Sequence, residues 1–176
     1  MRQTKQKVSP MSNKGRNAYV IKHLTEALLD LLTEKSLEDI LISELVERAG
    51  VGKASFYRNF DSKEDILRRY TDNITMEFVK TQKIKYDTKH FREYTVMLFE
   101  HLENNKDFCL ILLNNHLLHI VGDVFDKYFL KSATTHDEQY KQMFASGGFY
   151  NIFKFWLMGG CEESPKELSD MFFDYM

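Results

Sequence analysis

The sequence predicts an all-α protein. Apolar residues recur at spacings of three and four, the strict alternation of strands is nearly absent, and there are only two prolines in 176 residues. The architecture expected is an N-terminal three-helix helix-turn-helix domain followed by a C-terminal helical domain.

The elements follow in order. Residues 1–15 are polar, contain Pro10 and Gly15, and show no apolar period, so residues 1–16 read as a flexible basic arm. A first helix is expected over 17–34, where Val20, Leu24, Ala27, Leu28 and Leu31 share one face. A short link leads to a second helix over 42–49. Gly50 then suits a helix end that needs a positive φ. A third helix spans about 53–60. Ser62 with Asp65 is a capping pattern for a fourth, over 63–83. Further helices are expected at 89–104, 107–119, 121–131, 137–159 and 164–175; Ser164, Pro165 and Glu167 make a strong start for the last. The domains expected are therefore 1–16 as arm, 17–62 as helix-turn-helix and 63–176 as the helical body.

Composition narrows the class. Hydrophobic residues make up 43% and aromatic residues 14%, enough for a buried core, and 28% charged residues fit a globular chain. The net charge of −2 divides into +3 over residues 1–70 and −5 over 71–176, and residues 1–25 hold six basic side chains and no acidic one. A basic end on an acidic body fits either a polyanion-binding end or a solvated tail. There is no run of about 18 apolar residues to span a membrane and no apolar core of a signal peptide. Cys109 and Cys161 are not at metal-ligand spacing, which fits a reduced, cytoplasmic chain.

Two short helices around a glycine-containing turn are the minimum for a DNA-reading helix-turn-helix. Leu45, Ala49, Val51, Phe56 and Phe60 would hold them together. Lys53, Ala54, Ser55, Tyr57, Arg58 and Asn59 are left toward solvent: a cation, small residues that permit close approach, and hydroxyl, amide and guanidinium donors.

The residues are more specific than their spacing. ISELVERAGVGKASFYRNFDSKEDIL, at 42–67, closely resembles the DNA-binding domain of the TetR family, through AGV at 49–51, SFYRNF at 55–60 and SKEDIL at 62–67. The resemblance covers about 17–70. It implies that Lys53 and Ala54 face the major groove and that Ser55, Tyr57 and Asn59 contact phosphates or base edges. It also implies that Lys63 meets a phosphate at the start of the fourth helix and that Ser43 approaches the backbone from the second. Phe56 and Phe60 read as core. Tyr57 reads as a phosphate contact or as packing on the first helix, and Arg58 as a DNA contact or a solvated charge. The chain departs from the family pattern at Leu41 and Gly52, where a hydroxyl residue is usual; glycine still serves as a helix cap.

In the second half, GGFYNIFKFWLMGGCEESPKEL at 147–168 resembles the body of a TetR subgroup that includes regulators associated with dihydroxyacetone kinase genes. Phe149, Ile152, Phe153 and Trp156, with Leu168 and Phe172, recur at helical spacing and read either as a dimer interface or as ordinary core. Phe99, His101, Phe108, His116, Tyr140, Met143 and Phe144 are candidate lining for a small, largely apolar effector, or plain core. His116 and His119 stand at the i, i+3 spacing of metal ligands, but no further ligands complete a site, so no metal and no cofactor are expected. No phosphate loop, strand-borne nucleophile or His-Glu metal motif is present, so an enzyme is not expected.

The leading expectation is a homodimeric regulator, a repressor, that binds double-stranded DNA at an inverted-repeat operator and is released by a small effector. The rivals are a DNA-binding regulator controlled by a partner protein, and a helical interaction protein whose basic arm binds RNA or membrane.

Overall fold

A computed structural model describes residues 13–82, 89–131 and 133–173, all-helical among those residues. The helices are α1 (Asn13–Glu34), α2 (Ile42–Arg48), α3 (Lys53–Asn59), α4 (Lys63–Thr81), α5 (Phe91–Asn104), α6 (Lys106–Asn114), α7 (His119–Leu130), α8 (His136–Met158) and α9 (Pro165–Phe173). They form two compact units, 1–66 and 67–176, and the division falls within α4.

In the first unit, α1 buries Leu24, Ala27, Leu28, Leu31 and Leu32, the stripe its sequence spacing demands. Against it pack Leu45 and Val46 of α2 and Phe56 of α3, with Ile40, Ala49, Phe60 and Ile66 between the helices. Each of the Leu, Ile, Val and Phe side chains among these contributes about 2 kcal/mol by leaving water. Arg48 joins α2 to α1, with hydrogen bonds to Glu34 at 2.9 and 3.3 Å and to Asp30. Lys35, just past α1, meets Glu44 of α2 at 2.6 Å. The turn between α2 and α3 works as its glycine suggests: Gly50 has φ +63°, and the Gly50 and Val51 amides donate to the Glu47 and Val46 carbonyls at 3.0 and 2.9 Å.

Two boundaries differ from expectation. Residues 13–16, assigned to the arm, belong to α1; residues 1–12 lie outside the described residues. The helix expected over 107–119 stops early: α6 ends at Asn114, His116 is left-handed at φ +60°, and the next helix, α7, expected from 121, starts at His119. The break is closed locally, because the Asn115 side chain donates to the Ile111 carbonyl at 2.9 Å and the Leu117 amide to the Leu112 carbonyl at 2.8 Å.

In the second unit the core is aromatic. Phe149 lies 5.7 Å from Phe129, 6.3 Å from Tyr94 and 6.4 Å from Phe99 between ring centroids, and Phe99 stands edge-on to Trp156 at 5.5 Å. The Trp156 indole donates to the Glu163 carbonyl at 2.9 Å, which ties the end of α8 to the start of α9. Ser169 of α9 is buried and donates to the Arg92 carbonyl at 3.1 Å, while the Arg92 Nε donates to Asp170 at 2.8 Å. Buried Ser146 of α8 donates to Asp126 of α7 at 2.6 Å. Gly122 of α7 faces the Tyr150 ring of α8, where a Cβ would make ordinary van der Waals contact at 3.4 Å.

Candidate nucleic-acid interface

A short α3 needs only one side to anchor it. Phe56 and Phe60, four residues apart, are buried, and the helix therefore turns Lys53, Ala54, Tyr57 and Arg58 outward. Tyr57 is 62% exposed, its ring held edge-on to Phe56 at 5.2 Å. Ser55 and Asn59 are half-buried, and the Asn59 amide donates to the Ser55 carbonyl at 2.8 Å, so part of its donor capacity is spent inside the helix. Ser43 is exposed on α2.

The starts of the helices bear on anion binding. Gly52 caps α3 and Leu41, 65% exposed, caps α2; neither supplies a side-chain cap. A Cβ on Gly52 would meet nothing within 4 Å, so its missing hydroxyl is no packing requirement. Ser62 caps α4 by accepting from the Asp65 amide at 3.0 Å, and Asp65 accepts from the Asp61 amide at 3.1 Å. The Lys63 ammonium, at the start of α4, donates to the carbonyls of Leu37, Glu38 and Ile40.

Residues that the sequence reading left out join this surface. A groove of about 690 Å³ runs between the first turns of α1 and the flank of α3, lined by Arg16, Asn17, Tyr19, Ser55, Arg58 and Asn59 among others. Nothing in the local pattern marks Arg16, Asn17 and Tyr19, because only the packing of α1 on α3 puts them there.

The comparisons with known proteins bear on this arrangement. Residues 24–70 match the model described as "Bacterial regulatory proteins, tetR family", and residues 89–176, half of the chain, match "Transcriptional regulator C-terminal region". The chain belongs to the TetR family. It is a DNA-binding transcriptional regulator, of a family whose members are not enzymes. Among solved structures, the Listeria innocua protein Lin0861 superimposes with a TM-score of 0.76 at 15% identity, covering 95% of this chain and 94% of that one. The fatty acid degradation regulator FadR of Bacillus halodurans gives 0.58 at 16% identity, covering 86% and 91%. A TetR transcriptional regulator of Streptococcus agalactiae gives 0.61 at 22% identity, covering 89% and 92%. No curated protein matches the chain.

In the body of this TetR-family chain, the candidate residues separate. Phe99 and Phe108 are buried, His101 is half-buried, and His116, Tyr140, Met143 and Phe144 are exposed, so the seven do not line one pocket. His101 instead stacks on Phe78 of α4 at 4.7 Å, and burial pushes its pKa below 6.5. The two rings floor an open groove of about 810 Å³ with Ile74, Met97, Glu77 and Glu100. Beneath it lies an apolar cavity of about 20 Å³, room for about one water.

The dimer candidates also divide. Phe149, Phe153, Trp156 and Leu168 are buried in the chain's own core, Ile152 is half-buried, and the Phe172 side chain lies outside the described residues. The opposite face of α8 is the open one: Tyr140, Phe144, Phe155 and Met158 are 76%, 83%, 82% and 65% exposed. Gly147 and Gly148 lie on the same face with nothing within 4 Å of an added Cβ. His116 lies in the break between α6 and α7 and His119 opens α7, so the two do not share a helix face. Among the described residues, no group of three potential ligands could hold a metal, and no helix is long and apolar enough to cross a membrane.

Proposed function

We propose that the chain is a homodimeric repressor that reads an inverted-repeat operator with α3. The outward set Lys53, Ala54, Tyr57 and Arg58, anchored from behind by Phe56 and Phe60, carries this reading. A cation and a guanidinium suit phosphates and guanine edges, and the small Ala54 permits close approach to the groove floor. Ser43, Ser55 and Asn59 complete the contact set, with Arg16 of α1 on its flank. One short helix reads few base pairs, so useful specificity needs a second copy on a second half-site. The open face of α8 supports that copy: four large apolar side chains flank two glycines that allow close helix approach.

Release by a small effector belongs to the same proposal. The groove over Phe78 and His101 supports it, since its lining mixes apolar and polar groups and includes α4, the helix that also opens the DNA-reading unit's last turn. The likeness of residues 147–168 to the subgroup with dihydroxyacetone-kinase-associated regulators is part of this reading. Control by a partner protein is the second reading, favoured by the small size of the enclosed cavity.

Selection of bound duplexes from a random pool tests the function. Recovery of an inverted repeat, at a protein-to-duplex ratio of two to one, is the expected result. Recovery of no preferred sequence at any salt would remove the operator reading. A shift in melting temperature across a metabolite panel, lost on filling the groove by Met97→Trp, supports the small effector; no shift from any compound promotes the partner protein.

A further inference from the structure

We propose that the groove between the first turns of α1 and the flank of α3 seats a sugar–phosphate strand of the bound DNA, which makes Arg16, Asn17 and Tyr19 DNA contacts beside the reading helix. The placement rests on α3 being the helix that meets DNA. The chemistry of the lining is one-sided. Arg16 and Arg58 bring a guanidinium from each wall, Asn17 and Asn59 bring amides, and Tyr19 and Ser55 bring hydroxyls. Each of these side chains can donate a hydrogen bond, and no carboxylate lines the groove. The sequence extends the asymmetry, because residues 1–25 and 48–60 hold no Asp or Glu. The groove over Phe78 and His101 in the second unit is different in kind, since it carries Glu77 and Glu100. Guanidinium groups pair with phosphate through two parallel hydrogen bonds, and amides and hydroxyls are common partners of phosphate and sugar oxygens.

The shape agrees with the chemistry. The groove holds about 690 Å³, and Gly50 and Gly52 line it together with the α1 and α3 side chains. Gly50 answers to its φ of +63°. Gly52 has an ordinary extended backbone, with φ −82° and ψ 151°, and a Cβ there would meet nothing within 4 Å. The fold therefore does not require a glycine at 52, and its missing side chain leaves the groove open to a close approach of another backbone. On the other wall, Arg16, Asn17 and Tyr19 are exposed, and the Tyr19 ring is held against His23 at 4.0 Å. α1 and α3 pack on one another within one compact unit, so the two walls keep their spacing before DNA arrives. A contact of this kind reads no base. It adds affinity on every sequence and fixes the register of the helix beside it.

Salt titrations of the full chain on a mixed-sequence duplex test the groove. Arg16→Gln should flatten the log–log slope by about one unit, and Arg16→Lys should keep it, because lysine restores the charge. Tyr19→Phe should weaken binding by the same factor at every salt, since a neutral donor releases no counterion. Lys22→Gln should bind like wild type, because Lys22 is on the same helix but outside the groove and pairs with Glu26 at 3.7 Å. A wild-type slope in Arg16→Gln overturns the proposal. Equal flattening in Lys22→Gln also overturns it, as the effect would then be one of general charge. So does equal weakening in Arg16→Gln and Arg16→Lys with the slope of wild type, which is the mark of a structural role. If Arg58→Ala flattens the slope and Arg16→Gln does not, the groove fails while α3 stands. If neither does, or if wild type binds no duplex, the reading of α3 fails and the groove with it.

Discussion

Phe56 and Tyr57 are chain neighbours whose rings stand edge to face, 84° apart, yet one is buried and the other is 62% exposed. The helix directs consecutive side chains about 100° apart, so one ring can belong to the core and the next to the surface. Phe56→Ala should cost about 3–5 kcal/mol of stability, because it opens a cavity beside Phe60 at a fully buried position. Tyr57→Ala should leave the melting curve nearly unchanged and weaken duplex binding. Chemical denaturation alongside a binding titration reads both, and a Tyr57→Ala protein that binds a selected operator like wild type would remove the contact.

Lys53 and Arg58 lie on the outward side of α3. Alanine at either should flatten the log–log salt slope of duplex binding by about one unit. Lys53→Ala should also narrow the affinity ratio between operator and random duplex, since the residue opens the helix proposed to read the operator. An unchanged slope in both variants would place the phosphate contacts elsewhere on this unit.

The two faces of α8 should respond in opposite ways to charge. Phe144→Glu and Phe155→Glu should give a folded monomer, because these rings are 83% and 82% exposed in one chain. Trp156→Glu should give unfolded or insoluble protein, because Trp156 is 2% exposed and its indole holds Glu163. Sedimentation with circular dichroism distinguishes the outcomes; wild type sedimenting as a monomer at micromolar concentration would sink the dimer.

His101 should make stability depend on pH on the acid side. Burial lowers its folded pKa below the ordinary 6.5, with Glu77 opposing in part. Its neutral ring on Phe78 is therefore stabilising above that ordinary value, and the contribution is lost as pH falls through the depressed one. His101→Phe should melt nearer to wild type at about pH 8 and above it at about pH 5. Parallel loss of melting temperature in both proteins over that range would assign the acid response to other groups.

Much of the helical framework was legible in local sequence, and for local reasons. Gly50 marks the positive φ of the turn, Ser62 and Asp65 mark the start of α4, and the Val20–Leu31 spacing marks the buried stripe of α1. Each of these signals acts within four residues, so no tertiary partner is needed to read it. The outward set on α3 was likewise readable, because Phe56 and Phe60 alone define which side of so short a helix is inside. The capping box of Thr135 and Glu138 at the start of α8 has the same local character, although the sequence reading did not single it out.

The sequence by itself determined that α8 is a long helix with aromatic side chains on every side, but not which side is core. Phe149, Phe153 and Trp156 satisfy helical spacing as well as Phe144 and Phe155 do. Only the rings of Phe99 and Phe129, brought from α5 and α7, decide that the first set is inside. Lys63 is the same case in polar form. The sequence places a lysine at a helix start, and only folding brings three carbonyls of another segment to its ammonium. Burial and hydrogen bonding between distant segments depend on where the other elements lie, and no window of local sequence holds that information.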